Sequence, residues 1–135
     1  MARILMVNDE IDLLTVCQSL LSDVGHEVDI FTSGRDALEH ARRAKPDLII
    51  VDWVMPDTDG STVLARLKGH PATKDTPVLA ISALADGAMR AELAGADRFL
   101  AKPFDVDELV SAVNHVLNRR SHAIPDSYRE AASDD

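Results

Sequence analysis

The chain has 135 residues, a formal net charge of −9 and 46% apolar residues. That length suits one domain able to bury about two-thirds of its unfolded surface around a single core, the composition excludes a disordered chain, and no apolar run approaches the roughly 18 residues a membrane span requires. The acidic balance argues against direct nucleic-acid binding, the lone Cys17 excludes an intrachain disulfide, and only four apolar residues follow Arg3, too few for a secretory leader; a cytoplasmic protein with no membrane or nucleic-acid contact of its own is expected.

The first apolar run, Ile4–Val7, predicts a strand that stops abruptly on Asn8-Asp9-Glu10. A helix follows from about Glu10 to Val24, with Leu13, Val16, Cys17, Leu20 and Val24 spaced to share one face and Gly25 placed to end it. Glu10 reads as part of its first turn, where an acid suits the positive helix end. The second strand, Val28–Phe31, lies in "EVDIF", whose partial alternation suits a sheet edge. In "TSGRDALEHARRAK" Ser33 is the N-cap of a second helix, and Pro46 stops it. The third strand, Leu48–Val51 in "LIIVD", is apolar up to Asp52, as a central parallel strand should be. A third helix covers about Ser61–Lys68, and "GHPATKDTP" is the loop after it.

Val78–Ile81 is the fourth strand and ends on Ser82. The fourth helix, about Asp86–Ala94, is Ala-rich with few large anchors. The fifth strand, Phe99–Ala101, runs into Lys102-Pro103. The last helix opens on Asp105-Val106-Asp107-Glu108, a capping-box pattern, and carries the stripe Val106, Leu109, Val110, Val113, Val116 and Leu117. Periodicity is lost from about Arg119, so residues 1–119 read as the domain and 120–135 as a polar tail or the stub of a linker.

Strands alternating with helices five times imply a parallel sheet covered on both faces. Right-handed crossovers favour a flavodoxin-like (βα)5 topology, strand order 2-1-3-4-5, in which ligands bind at the carboxyl ends of the strands. Strand 1 ends on Asn8-Asp9, strand 3 on Asp52, strand 4 on Ser82 and strand 5 on Lys102. Strands 1 and 3 are neighbours in this order, which brings Asp9 beside Asp52. Two carboxylates held close repel unless a cation lies between them, and hard oxygen ligands at a partly open site suit Mg²⁺. A carboxylate, a hard cation, a hydroxyl and an ammonium together suit a phosphoryl group. Singly, each residue has a plainer reading as a turn residue, a helix cap or a solvated charge; the argument rests on four polar positions falling at the same end of four strands.

These residues resemble the receiver domain of two-component response regulators, the single-domain chemotaxis regulator being the simplest relative. The similarity runs from about Ile4 to Leu117, and its most specific pieces are "DLIIVDWVMPDTDG", "PVLAISALA" and "AGADRFLAKPF". The resemblance implies that Asp52 accepts a phosphoryl group from a sensor histidine kinase or phosphotransfer protein, and that the chain regulates a partner rather than turning over a substrate. It implies Mg²⁺ (or Mn²⁺) held by Asp9, Asp52 and the backbone carbonyl of Val54. Ser82 would bind a phosphoryl oxygen, Lys102 would pair with Asp52 and then with the phosphoryl group, and the Lys102–Pro103 bond would be cis. Ser82 and Phe99 would form a switch that alters the surface of helix 4, strand 5 and helix 5 for a downstream protein effector, the chain being a monomer or a phosphorylation-dependent dimer.

Three positions depart from the commoner pattern. Asn8 stands where an acid is usual, leaving two carboxylates and a weak or water-mediated metal contact; a loss of about 1–2 kcal/mol would weaken Mg²⁺ roughly tenfold. Val54 and Leu84, two residues after Asp52 and Ser82, are apolar and unable to orient an attacking water, so slow hydrolysis of the acyl phosphate is expected. Phe99 lacks the hydroxyl a Tyr would offer, which favours its buried position.

Two rival functions share these features. A phosphatase of the haloacid-dehalogenase type needs a second acid two residues after its nucleophile, where this chain has Val54; a pseudo-receiver that binds without being phosphorylated has only Asn8 in its favour. "DTDGS" fails the register of a calcium loop, the five histidines lack metal-ligand spacing, Cys17 reads as core, and Trp53 reads as a reporter beside Asp52.

Overall fold

The computed structural model describes residues 2–53, 55, 59–83 and 95–121. Five strands, β1 (Arg3–Val7), β2 (Glu27–Phe31), β3 (Leu48–Asp52), β4 (Val78–Ser82) and β5 (Arg98–Ala101), form one sheet. The helices are α1 (Ile11–Asp23), α2 (Gly34–Ala44), α3 (Gly60–Lys68) and α4 (Val106–Ser121). The strand order is β2-β1-β3-β4-β5 and the pairs are parallel, as the sequence predicts for a flavodoxin-like α/β fold. The helix expected at about Asp86–Ala94 lies outside the described residues, as does the tail from residue 122. The last helix runs to Ser121, past the boundary expected at 119/120, because Arg propagates a helix without adding to an apolar period. Among the described residues no helix is long and apolar enough to cross a membrane.

The pleat of each strand divides its side chains between two cores. Ile4, Met6, Leu48, Ile50, Leu79 and Ile81 face Leu14, Cys17 and Leu21 of α1 and Leu109, Val113 and Val116 of α4. Leu5, Val7, Ile49, Val51, Val78 and Ala80 face Ala37, Leu38 and Ala41 of α2 and Val63, Leu64 and Leu67 of α3. Buried on both sides, β3 and β4 have no position for a polar residue until their last one, Asp52 and Ser82. β2, at the edge, is exposed at Glu27 and Asp29.

Local chemistry sets the helix ends. Ser33 caps α2 through the amide of Asp36, and Lys45 in the left-handed region (φ 49°) closes it just before Pro46. Gly25 takes φ +98° after α1, where a side chain would be strained. Asp105 and Glu108 bond each other's backbone amides at 2.8 and 3.2 Å, a complete capping box. The apolar face of α1 corrects the sequence reading. Leu14, Cys17 and Leu21 meet the sheet, Leu13 and Leu20 lie at its flank, and Val16 and Val24 are exposed. Two apolar stripes run along that helix, one residue out of step, and helical period alone does not choose between them. Val106, expected in the α4 stripe, is also exposed, because it occupies the first turn before the helix settles onto the sheet.

α3 is tied to Trp53, the residue after β3. Asp59 caps it by accepting from the Thr62 amide at 2.8 Å, and those hydrogen bonds hold the Asp59 carboxyl below its ordinary value. The Gly60 amide donates to the Trp53 carbonyl at 2.9 Å. A Cβ at Gly60 would lie 2.6 Å from the Trp53 ring and 2.7 Å from its Cα, so the position needs glycine for close approach. Gly60→Ala is expected to lower stability by about 1–3 kcal/mol, read by urea denaturation, and to shift Trp53 emission in the folded state.

Candidate functional site

The site starts where β1 runs out of apolar residues. The Asn8 amide donates to the Phe31 carbonyl, continuing the β1–β2 ladder by one residue, and the side chain is fully buried. Asn8 Oδ1 accepts from the Glu10 amide at 2.8 Å, which fixes which end of the side chain is oxygen. Asn8 Nδ2 is buried with no partner among the described residues. This turn leaves Glu10 extended at the N-cap of α1, where its side chain makes no capping bond. Its carboxylate lies instead with those of Asp9 and Asp52, with one oxygen of each within 4.8 Å of the others.

Asp52 is 3% exposed at the end of β3. One partner comes from two strands away. The Lys102 amide donates to the Ser82 carbonyl at 2.9 Å, which continues β5 alongside β4. Lys102 Nζ then reaches Asp52 Oδ2 at 3.1 Å and Glu10 Oε1 at 3.5 Å. Two unit charges about 4 Å apart interact with about 4 kcal/mol at an effective dielectric near 20, so one ammonium offsets only part of the repulsion among three carboxylates. Burial pushes the Cys17 thiol up to about 11, and the positive charge of Lys102 pulls it partly back. Cys17 is thus an inert core residue, as its place in the sequence suggests.

Of the predicted site residues, Asp9, Asp52 and Lys102 converge, and Ser82 is buried at the end of the intervening strand β4. The Lys102–Pro103 bond is cis. Phe99 is half-buried on β5 against the core under α2 and α3. Val54 and Leu84 lie outside the described residues. Glu10 is the residue that sequence reasoning missed. Its charge was already accounted for by the helix end, yet a third polar residue following Asn8-Asp9 directly was a signal that the acidic edge extends further.

The family model for the response regulator receiver domain matches residues 4–114. The chain belongs to the response regulator receiver domain family. The transcriptional regulatory protein PcoR of Escherichia coli is 40% identical over 129 residues, covering 91% of this chain and 55% of PcoR. The chain spans about half the length of the curated relatives it matches. Among solved structures, the chemotaxis protein CheY4 of Vibrio cholerae superposes with a TM-score of 0.80 at 30% identity, covering 86% of this chain and 98% of that one. The receiver domain of the sensor histidine kinase PA1611 from Pseudomonas aeruginosa, solved with a magnesium ion in its active-site cleft, gives 0.79 at 28% identity, covering 87% of this chain and 98% of that one.

The donor set of this receiver fits a hard divalent cation, since three carboxylates offer oxygen ligands within reach of one another at an edge that solvent enters through Asp9 and Glu10. Lys102→Ala would leave the buried Asp52 carboxylate beside two others with no ammonium. A loss of about 2 kcal/mol in metal-free buffer is expected, below the full cost of breaking a buried pair because Lys102 remains partly exposed. Chemical denaturation of the two proteins side by side measures it.

Proposed function

We propose that this receiver domain is a phosphorylation-dependent signalling switch of a two-component system, with Asp52 as the phospho-acceptor. One observation carries the reading: a buried carboxylate at the end of β3 lies 3.1 Å from the Lys102 ammonium and beside two further carboxylates. A sensor histidine kinase or phosphotransfer protein presents a phosphohistidine. An Asp52 oxygen attacks the phosphorus, the P–N bond breaks, and its electron pair stays on the imidazole nitrogen. Asp9, Asp52 and the carbonyl of Val54 would hold Mg²⁺ or Mn²⁺, with Asn8 making a weak or water-mediated contact. When bound, that ion supplies charge neutralisation for the transferring group. Lys102 moves its ammonium from the carboxylate to a phosphoryl oxygen, which offsets charge that would otherwise build up between donor and acceptor.

Phosphorylation adds about −1.5 to −2 charges at a site that is already acidic. Ser82, at the end of β4, donates its hydroxyl to a phosphoryl oxygen. Its movement opens space into which Phe99 turns, and the altered face of the predicted fourth helix, β5 and α4 engages a downstream protein, either from a monomer or through a phosphorylation-dependent dimer. This is a two-state element biased by a local charge event. The domain catalyses only its own phosphorylation and dephosphorylation. It acts in the cytoplasm and reaches nucleic acid only through whatever it regulates.

Incubation with acetyl phosphate and Mg²⁺ should add the mass of one phosphoryl group to the intact chain, with a change in Trp53 fluorescence. Asp52→Ala should show neither; a mass gain that survives this substitution overturns the assignment. The apolar Val54 and Leu84 leave an attacking water unoriented. Val54→Asn combined with Leu84→Gln should therefore shorten the lifetime of the phosphorylated form several-fold, and unchanged decay counts against that role.

A further inference from the structure

We propose that Glu10 supplies the third negative charge of the cation site, in place of an acid at position 8, and shares Lys102 with Asp52. The inference rests on the phospho-acceptor reading above and adds to it the residue that completes the charge of the site. Asp9 and Asp52 alone, with Lys102 beside them, leave one net negative charge, which is too little to balance a divalent ion. With Glu10 the four groups leave two. Glu10 is held in place by its neighbour: Asn8 Oδ1 accepts its amide at 2.8 Å, and its carboxylate, which makes no capping bond, lies with those of Asp9 and Asp52. The contact with Lys102 at 3.5 Å fixes the other end of the side chain.

A second observation concerns position 8 itself. Asn8 is fully buried, its oxygen is engaged by the Glu10 amide, and its Nδ2 has no partner among the described residues. Position 8 therefore brings no charge to the site. Asn8 acts as a positioning residue for Glu10, and the carboxylate two residues on does electrostatically what an acid at position 8 would do. The expectation of a weakened site, drawn from Asn8 alone, is replaced by that of a site whose third charge has moved along the chain.

The test is Mg²⁺ affinity of the intact protein, measured by calorimetry and by Trp53 fluorescence, with circular dichroism to check folding. Glu10→Gln should weaken Mg²⁺ about tenfold, as the removal of one nearby charge implies. Asp12→Asn removes an equal charge from the exposed first turn of α1 and should change affinity less than about twofold. The double substitution Asn8→Asp with Glu10→Gln returns the acid to position 8 and should regain most of the loss. The proposal is overturned if Glu10→Gln binds as tightly as wild type, if Asp12→Asn weakens binding equally, or if the double variant binds no more tightly than Glu10→Gln. A wild-type chain that binds no Mg²⁺ and takes no phosphoryl group overturns the phospho-acceptor reading as well, which separates the two failures.

Discussion

The ion pair between Lys102 and Asp52 joins β3 and the end of β5, strands that are never neighbours, across the end of β4. It forms because the sheet is parallel and in register there: Asp52 sits opposite Ile81, and Ser82 opposite Ala101. A slip of one residue in either pairing would point Asp52 or Lys102 to the other face of the sheet. The pair also meets an electrostatic need. Three carboxylates gather where the strands end, and a single ammonium must serve two of them. The folded state without a cation therefore carries repulsion that the hydrophobic layers on both faces have to outweigh.

Those layers also hold the geometry. Asp52 belongs to a strand with no exposed position, and Trp53 after it is tied to its surroundings by backbone contacts. The Trp53 amide bonds the Ile81 carbonyl, and the Trp53 carbonyl takes the Gly60 amide. α3 is thus anchored at its first residue to the residue after Asp52. Close approach of two backbones, permitted by the missing Cβ at Gly60, holds the end of β3 against the start of α3. On the other side, β5 carries a half-buried Phe99 and runs into Lys102, so a change in Lys102 pairing and a change in Phe99 packing act on the same short strand.

The strands and their order were legible in the sequence because burial on two faces leaves an unmistakable apolar run, and because parallel crossovers have one hand. The convergence of Asp9, Asp52 and Lys102, with Ser82 at the end of the strand between, followed from that order and from where each strand ends. Two things were not legible. On α1 the apolar residues form two stripes, and only the shape of the sheet selects Leu14, Cys17 and Leu21 over Val16 and Val24. For Glu10, a local explanation, an acid at a helix N-terminus, satisfied the pattern and hid the tertiary one. A side chain with three rotatable bonds at a helix start reaches places that its sequence position does not name.

The run Asn8-Asp9-Glu10 at the end of β1 then has a physical rationale for its amide. Position 8 is fully buried, whereas the Glu10 side chain is 61% exposed. A carboxylate at position 8 would be out of contact with water whenever no cation was bound, and desolvating an unpaired charge costs several kcal/mol. At position 10 the same charge stays hydrated in the cation-free state and remains within reach of Asp9, Asp52 and Lys102. Asn8 keeps the buried place polar enough to hold the Glu10 amide without adding a fourth charge. An acid at the N-cap of the helix rather than in the interior of the strand end is thus a way of keeping the field at Asp52 while relieving the fold of a buried charge.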